Sequence, residues 1–259
     1  MPANREPRSP EADQHGAAAR EARVRGEPRP HVILLRHGEP DWSPNRGPSV
    51  NDPGLTPFGH QQAEAAASHL AKLPIDALYV SPYRRSQETA APLARATGLE
   101  PVTIEGLAEV GVAVEGLSQE DVDRYFVEGS RRPLAEHWDG WPGAETFHDF
   151  HERVTAALAD VLGRHGMTPR NEHDFTVWNL EGRAPNIAVV AHGGTNAVAL
   201  SQLLDVSPVP WEWLRFESEL TAYSIVQARN LGPEGLVWSL QAFGMVDHLI
   251  DAGLRERVG

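Results

Sequence analysis

Three polar segments, each directly after a short apolar run, contain the side chains that could do chemistry. They are Arg36-His37-Gly38-Glu39, the segment from Ser81 to Arg85, and His192-Gly193-Gly194-Thr195. Imidazoles and guanidiniums gathered in one place repel each other unless an anion lies between them. Arginine binds phosphate oxygens bidentately, and a glycine-rich turn that opens a helix offers free N–H groups. The residue types therefore predict a site for a phosphate group.

An imidazole in such a site can act as a nucleophile as well as a ligand. A histidine that accepts a phosphoryl group splits one difficult hydrolysis into two easier displacements. Positioning the group and neutralising its oxygens then supply most of the catalysis. The leaving alkoxide needs a proton, which calls for a carboxylic acid near the pocket. Glu109, in Leu107-Ala-Glu-Val-Gly111, is placed to provide that proton.

Alternating strands and helices must bring these segments together. Buried strands are predicted at 31–36, 75–80, 101–104 and 186–191, and extended segments at about 221–228 and 235–241. Helices are predicted at 57–72, 84–97, 118–127, 145–164 and 193–204. The stretch 165–185 is predicted to be irregular. This order predicts an α/β fold, a three-layer α/β/α sandwich with a mostly parallel central sheet, which binds ligands beyond the carboxyl ends of its strands.

Composition excludes several classes of partner and site. With 36 acidic and 23 basic residues the formal net charge is −13, which counts against nucleic acid and an anionic membrane as partners. The absence of cysteine excludes disulfides, thiolate nucleophiles and cysteine-ligated metals. We find no apolar run long enough for a membrane helix and no apolar core of a signal peptide, so we expect a cytoplasmic location.

The chain divides into a tail and one domain. Residues 1–30 are rich in proline and charge and poor in large aliphatic side chains. Such a segment buries too little apolar surface to offset its ordering entropy, so we expect a disordered tail at 1–30. The domain is expected to cover 31–259.

An ordered set of motifs resembles one known family. The set runs through Leu35-Arg-His-Gly-Glu39 with Trp42, Asp52-Pro-Gly-Leu-Thr56, Ser81-Pro82 with Arg85, Glu109, Glu115-Gly116, Pro142-Gly-Ala-Glu145 with Arg153, and Val190-Ala-His-Gly-Gly194. On these residues the chain resembles the histidine phosphatase superfamily, in its Arg-His-Gly-Glu branch, with a phosphoglycerate-mutase-like fold. The resemblance covers about 31–249.

The resemblance implies a role for each matching residue. His37 would become the phosphohistidine, and Glu109 would be the proton donor and then the base for the attacking water. Arg36, Arg85 and His192 would bind the phosphoryl group, and Gly193 would contribute to substrate binding. Where the family has Asn after the tryptophan, this chain has Ser43, so Ser43, Asn45 and Arg46 are candidate replacements for that ligand.

The resemblance also implies what acts with the protein. We expect metal-independent hydrolysis of a phosphomonoester, without a cofactor. The expected partner is a small phosphorylated metabolite or a phosphoprotein, and a homodimer is the candidate oligomer.

His148 and His151 have a spacing that can hold a metal, but we expect them on an ordinary helix surface. We expect Trp211–Arg215 to pack or to form a subunit contact.

Two other functions stay open at this point. A phosphoglycerate mutase shares the central residues with a phosphatase. It differs mainly because its site excludes water and binds a second anionic group. The stretch Val110–Glu115 contains no basic residue for that purpose, although Arg131-Arg132 could imitate the lid of a mutase. The other alternative is a non-catalytic module that binds a phosphorylated ligand.

Overall fold

The computed structural model describes residues 29–182 and 185–255. Most of the predicted tail at 1–30 therefore lies outside the described residues, as do 183–184 and the last four residues.

Seven α-helices are present in the described part of the chain. They are α1 (Pro57–Leu70), α2 (Arg84–Thr97), α3 (Gln119–Ser130), α4 (Phe147–Gly163), α5 (Gly193–Leu203), α6 (Glu212–Arg215) and α7 (Asp247–Asp251). Short 3₁₀ turns cover Pro44–Arg46, Glu105–Leu107, Leu134–Asp139 and Gly232–Glu234. The predicted start of α1 is confirmed, because the Thr56 hydroxyl accepts a hydrogen bond from the N–H of Gly59 and Pro57 takes the first helical position.

One eight-stranded sheet forms the centre of the molecule. Its strands are β1 (His31–Arg36), β2 (Ala77–Val80), β3 (Val102–Thr103), β4 (Met167–Glu172), β5 (Phe175–Leu180), β6 (Ile187–Ala191), β7 (Tyr223–Asn230) and β8 (Leu236–Met245). They lie in the order β3-β2-β6-β1-β7-β8-β5-β4. The predicted α/β class is confirmed.

The sheet is parallel in one half only, which corrects the expectation of a mostly parallel sheet. Strands β3, β2, β6 and β1 run parallel, whereas β7, β8, β5 and β4 pair in antiparallel fashion. The reason is connectivity: helices join the parallel strands, while β7–β8 and β4–β5 are hairpins, which can join only antiparallel neighbours. The three polar segments all follow strands of the parallel half.

Helices cover both faces of the sheet, as the three-layer prediction requires. On β1, Val32 and Leu34 point into a core that includes residues of α4 and α5. The alternate residues Ile33 and Leu35 point into a second core with residues of α1 and α2. This alternation follows from the two-residue period of a strand. The strands that carry the polar segments are therefore held on both sides.

The stretch 165–185 was predicted to be irregular, and that prediction was wrong. Strands β4 and β5 form a hairpin in which Glu172 pairs with Phe175 across a two-residue turn, with His173 at a φ of 54°. Val177 and Trp178 of β5 are buried and anchor the hairpin to the core. The sequence His173-Asp174 lacks the glycine that usually indicates such a tight turn.

Within residues 29–182 and 185–255, no helix is both long enough and apolar enough to cross a membrane.

Candidate active site

Strand register brings the two imidazoles together. Arg36 at the end of β1 lies opposite Ala191 at the end of β6, and the N–H of His37 donates to the carbonyl of Ala191 at 2.9 Å. His37 and His192 therefore leave neighbouring strands side by side, with ring centroids 5.1 Å apart. Ser81 leaves β2 beside them, because its N–H donates to the carbonyl of Val190.

The proton of the His37 ring is fixed on one nitrogen by the backbone. Nδ1 lies 2.7 Å from the carbonyl oxygen of Gly38, which can only accept, so Nδ1 donates. Nε2 is then the nitrogen with the lone pair, and it accepts a hydrogen bond from Nε of Arg85 at 3.3 Å. The ring thus directs a nucleophilic nitrogen at a guanidinium.

Burial keeps this imidazole neutral. Burial lowers the pKa of His37 well below its usual 6.5, and the nearby charge of Arg85 lowers it further. A neutral ring with a free lone pair is the form that attacks phosphorus.

The backbone that follows His37 is held by the helices of one face. The N–H of Gly38 donates to the hydroxyl of Thr89 on α2, and the N–H of Glu39 donates to the side-chain oxygen of Gln62 on α1. These bonds fix the carbonyl of Gly38 and hence the orientation of the His37 ring.

His192 lies at the start of α5 and is completely buried. Its Nε2 is hydrogen-bonded to the Ser81 hydroxyl at 2.6 Å, and Nδ1 has no hydrogen-bond partner among the described residues. Burial lowers the pKa of His192 well below its usual value, and the nearby His37 and arginines lower it further. An anion bound nearby would favour the protonated ring, so His192 is suited to respond to a phosphate.

Two arginines reach the same place from different elements. Arg36 ends β1, and one of its terminal nitrogens donates to the carbonyl of Ser218. Arg85 lies in the first turn of α2, with its side chain only 3 % exposed, whereas the side chain of Arg84 is 68 % exposed and pairs with Glu88. The burial of Arg85 and the exposure of Arg84 agree with the prediction that Arg85 binds the phosphoryl group.

Aromatic rings and an acidic group fix the Arg85 guanidinium. Its central carbon lies 4.6 Å from the ring centre of Tyr83 and 4.9 Å from that of Trp42. A terminal nitrogen lies 3.8 Å from the carboxylate of Asp52. Stacking on both rings orients the planar fork, which prepares it for bidentate contact with an anion.

Glu109 is held against the start of α5. Its two carboxylate oxygens accept hydrogen bonds from the N–H groups of Gly194 at 2.9 Å and Val110 at 3.0 Å. A Cβ at Gly194 would lie 2.6 Å from a carboxylate oxygen of Glu109, so a larger residue there would displace the Glu109 carboxylate. Glu109 therefore depends on Gly194 for its position.

An ion pair clamps the loop that carries Glu109. Arg153 on α4 binds both carboxylate oxygens of Glu145, at 2.8 and 2.7 Å. The same guanidinium donates to the carbonyls of Gly106 and Ala108, both at 3.0 Å. Arg153 thus connects α4 to the backbone directly before Glu109 and fixes the position of Glu109 relative to the sheet.

A cavity of about 490 Å³ opens over this cluster. Its charged lining residues are Arg36, Arg85, Glu109 and Glu217. Its aromatic lining residues are Trp42, Tyr83, Phe126, Trp141, Trp213 and Phe216. His37 and His192 lie one contact behind this lining, against Arg85 and Tyr83. We call Arg36, His37, Arg85, Glu109 and His192 the phosphate site; the structure brings all five predicted residues to one place.

The four predicted substrate-binding residues are not equally close to the cavity. Gly193 lines it and packs against the guanidinium of Arg36. Ser43, Asn45 and Arg46 form a turn beside it and are not among its lining residues, and the φ angles of Asn45 and Arg46 are 57° and 59°. Their role as ligands stays a prediction.

Family membership follows from a comparison with known proteins. A model of the family described as histidine phosphatase superfamily (branch 1) matches residues 32–241. The chain belongs to this superfamily.

Curated relatives within the superfamily have different activities in their names. Phosphoserine phosphatase 1 of Hydrogenobacter thermophilus is 32 % identical over 137 residues, which are 52 % of this chain and 65 % of that protein. A probable phosphoglycerate mutase of an Enterobacter species is 35 % identical over 136 residues, 51 % of this chain and 62 % of that protein. The matched region thus spans less than two thirds of these relatives.

Solved structures of the superfamily share the fold. A mycobacterial glucosyl-3-phosphoglycerate phosphatase aligns with a TM-score of 0.64 and 22 % identity, over 85 % of this chain and all of that one. A phosphoserine phosphatase of Entamoeba histolytica, in complex with 3-phosphoglyceric acid, aligns with a TM-score of 0.59 and 25 % identity, over 85 % of this chain and 98 % of that one. The phosphoglycerate-mutase-like fold predicted from the motifs is confirmed.

Several cavity residues of this superfamily member escaped sequence reasoning. We expected Trp211–Arg215 to pack or to form a subunit contact, but Trp213 and Leu214 line the cavity, as do Glu217 and Ser218. No sequence motif indicates these residues, since they do not directly follow a predicted strand and their spacing is not that of catalytic or metal-binding residues. The direct repeat of tryptophan at 211 and 213 was the one available signal.

The candidate metal pair does not form a centre. His148 stacks on Trp138 with centroids 4.3 Å apart, and His151 is the other member of the pair, on the same helix α4. Across 29–182 and 185–255 no three histidine or acidic side chains are arranged to hold a metal ion. His148 is exposed on α4, whereas His151 is half-buried.

Proposed function

We propose that this protein hydrolyses phosphomonoesters through a phosphohistidine on His37. The observation that carries the proposal is the His37 ring, which is buried and neutral, with its proton held on Nδ1 by Gly38 and its Nε2 lone pair aimed at Arg85. A histidine with a merely structural role has no need of a guanidinium on its Nε2 together with a second imidazole and the charge of Arg36 near the ring. The names of the phosphatase relatives support the same class of activity.

The phosphoryl group binds between the cations of the phosphate site. Arg85 offers its fork from α2, Arg36 from the end of β1, and His192 becomes protonated as the dianion arrives. Together these groups neutralise the three oxygens that carry charge in the transition state. Because guanidiniums supply this charge, we propose that the reaction needs no metal.

The first step transfers the phosphoryl group to His37. Nε2 attacks phosphorus, the phosphorus–oxygen bond to the alcohol breaks, and the leaving oxygen takes a proton from the carboxyl group of Glu109. The products of this step are the free alcohol, phosphohistidine and the carboxylate of Glu109.

The second step returns the site to its starting state. The Glu109 carboxylate takes a proton from water, the oxygen of that water attacks phosphorus, and the phosphorus–nitrogen bond to His37 breaks. Inorganic phosphate leaves, and Glu109 is again a carboxylic acid. Gly194 and the Arg153–Glu145 ion pair hold Glu109 at one position for both steps.

Hydrolysis is favoured over the mutase alternative by the charges of the cavity. A mutase must hold a second anionic group in addition to the phosphoryl group, and the only charged lining residues of this cavity besides Arg36 and Arg85 are Glu109 and Glu217, among the described residues. Arg132, which could imitate a mutase lid, instead donates to the carbonyls of Gly129 and Gly140. The expected substrate is a small phosphorylated metabolite, and a cytoplasmic location and a homodimer stay part of the proposal.

A His37→Ala variant tests the mechanism. In EDTA the protein should hydrolyse p-nitrophenyl phosphate, and His37→Ala should lower kcat by at least about a thousandfold, because the nucleophile is lost. An acid-labile phosphoryl group should be trapped on the protein and absent from the variant. His148→Ala, which removes a histidine from the α4 surface, is the matched control.

Three results would contradict this mechanism. They are turnover that survives His37→Ala, turnover that requires a metal, and isomerisation of 3-phosphoglycerate that far exceeds phosphate release.

A further inference from the structure

A second cavity of about 630 Å³ lies beside the first and is lined mainly by apolar side chains. Its floor and sides include Val127, Phe147, Trp211 and Leu134. Leu134 is 70 % exposed, and Leu214, which also lines it, is 66 % exposed. Exposed apolar side chains that are grouped at a cavity mark a candidate site for an apolar ligand.

The two cavities are adjacent and share a wall. Phe126, Trp141, Trp213 and Leu214 line both of them. The second cavity is therefore within reach of a substrate whose phosphoryl group lies in the phosphate site and whose leaving group extends past these four side chains.

Ring contacts make this wall rigid. Trp141 and Trp213 are stacked with centroids 5.5 Å apart, and Phe126 meets Trp141 edge to face at 5.3 Å. Phe147 packs edge to face on Trp213 at 5.0 Å. We call the segments 126–147 and 211–216 the aromatic cap. Fixed aromatic faces favour flat apolar ligands, which stack on them at little entropic cost.

Charge is distributed so that a second anionic group has no good position. The charged lining residues of the first cavity are Arg36, Arg85, Glu109 and Glu217. Burial lowers the pKa of Arg36, and both carboxyl groups lie close enough to Arg36 to oppose that lowering, so all four charged groups are at or near the phosphate site. In the second cavity Arg132 uses two of its three nitrogens to bind carbonyl groups, and Nε2 of His137 binds the carbonyl of Arg132. Apart from Arg132 and His137, which are already bound to carbonyl groups, the described residues that line the cavities away from the phosphate site offer a substrate carboxylate no cation to replace its water.

We propose that the second cavity binds the leaving group of the substrate, and that this leaving group is a flat, uncharged apolar alcohol of at least two fused or linked rings. The inference rests on the proposed function, since it names the substrate class of the same site. It also separates this protein from relatives whose names refer to phosphoserine or phosphoglycerate, which are small and carry a carboxylate.

Three phosphate esters test the substrate class. Phenyl phosphate and biphenyl-4-yl phosphate have phenols of similar acidity, so a difference between them reports binding of the second ring. The biphenylyl ester should have a kcat/KM at least about tenfold higher, because the second ring leaves water for an apolar cavity. Phosphoserine should be the poorest of the three.

A variant that fills only the second cavity connects this preference to the structure. Ser130 lines the second cavity and not the first, so Ser130→Phe places a ring where the second ring of the ester would lie. The ratio of kcat/KM between the biphenylyl and phenyl esters should fall about tenfold toward one. Phe175→Ala, which removes an exposed ring from the β4–β5 hairpin, should leave both activities unchanged.

Calorimetric binding of 4-phenylphenol gives a readout that needs no turnover. The alcohol should bind the wild type, and Ser130→Phe should weaken its Kd about tenfold. Binding without hydrolysis of any ester would defeat the proposed function and leave this inference standing. Hydrolysis with equal kcat/KM for the two aryl esters, a preference for phosphoserine, or an unchanged Kd in Ser130→Phe would overturn the inference.

Discussion

The phosphate site and the aromatic cap border the same cavity but are built in opposite ways. The phosphate site takes His37, Arg36 and His192 from the ends of buried parallel strands, where strand register fixes each backbone position. The aromatic cap takes its side chains from α3, α6 and the turns around them, and ring contacts hold them together. Strand register therefore fixes the positions of the reacting groups, whereas side chains of the aromatic cap can be substituted without moving those groups.

The largest difference between buried and exposed groups is expected at the two arginines that begin α2. Arg85→Ala should lower kcat/KM for p-nitrophenyl phosphate by about a thousandfold, because a preorganised, buried guanidinium is lost from the transferring oxygens. Arg84→Ala, one residue away, should change it by less than about twofold, since the Arg84 side chain faces solvent and Glu88. Steady-state kinetics on both variants measure the contrast.

Equal losses in the two arginine variants would contradict the geometry of the phosphate site. They would mean that the exposed guanidinium binds the substrate as well, and that burial on α2 does not distinguish the two positions.

The next effect depends on the leaving group. Glu109→Gln should slow hydrolysis of β-glycerophosphate by about a hundredfold, because the alkoxide that leaves needs a proton. The same variant should slow p-nitrophenyl phosphate by less than about fivefold, since nitrophenolate leaves without protonation. Glu105→Gln, in the 3₁₀ turn of the same loop, is the control. A loss of equal size on both esters would remove Glu109 from the role of proton donor.

The phosphate site could be predicted from sequence because its residues follow apolar strands. A buried strand is recognisable from its run of aliphatic residues, and the ends of parallel strands meet at one edge. The sequence alone therefore predicts that His37 and His192 lie together with the segment Ser81–Arg85. Helix starts such as Thr56-Pro57 are equally local signals.

The aromatic cap and the antiparallel half could not be predicted in the same way. Trp213 and Leu214 line the cavity only because α6 packs beside α5 and the loop before α4, which no local pattern shows. The β4–β5 hairpin depends on the burial of Trp178 against β8 rather than on turn residues. Gly194 supports Glu109 through a contact between positions that are 85 residues apart.

The smallest effect concerns pH and the buried histidines behind the phosphate site. His248 on α7 is hydrogen-bonded to Thr221, whose N–H donates to the carbonyl of His37. Burial lowers the pKa of His248 to about 4, with a further lowering by His69. Above pH 6.5 the folded and unfolded states are both neutral at this residue. Below pH 6.5 His248 takes up a proton in the unfolded chain but stays neutral in the folded protein. The free energy of unfolding therefore falls as the pH is lowered to about 4.

A His248→Gln variant isolates this contribution. Between pH 6.5 and 4 the free energy of unfolding of the wild type should fall more steeply than that of His248→Gln, by up to about 1.4 kcal/mol per pH unit. Urea unfolding at several pH values measures both slopes, and His60→Gln, which removes an exposed imidazole from α1, should keep the wild-type slope. Parallel slopes for wild type and His248→Gln would contradict this prediction, because they would mean that His248 takes up its proton at the same pH in the folded and the unfolded protein. The buried position behind His37 would then tolerate a charge.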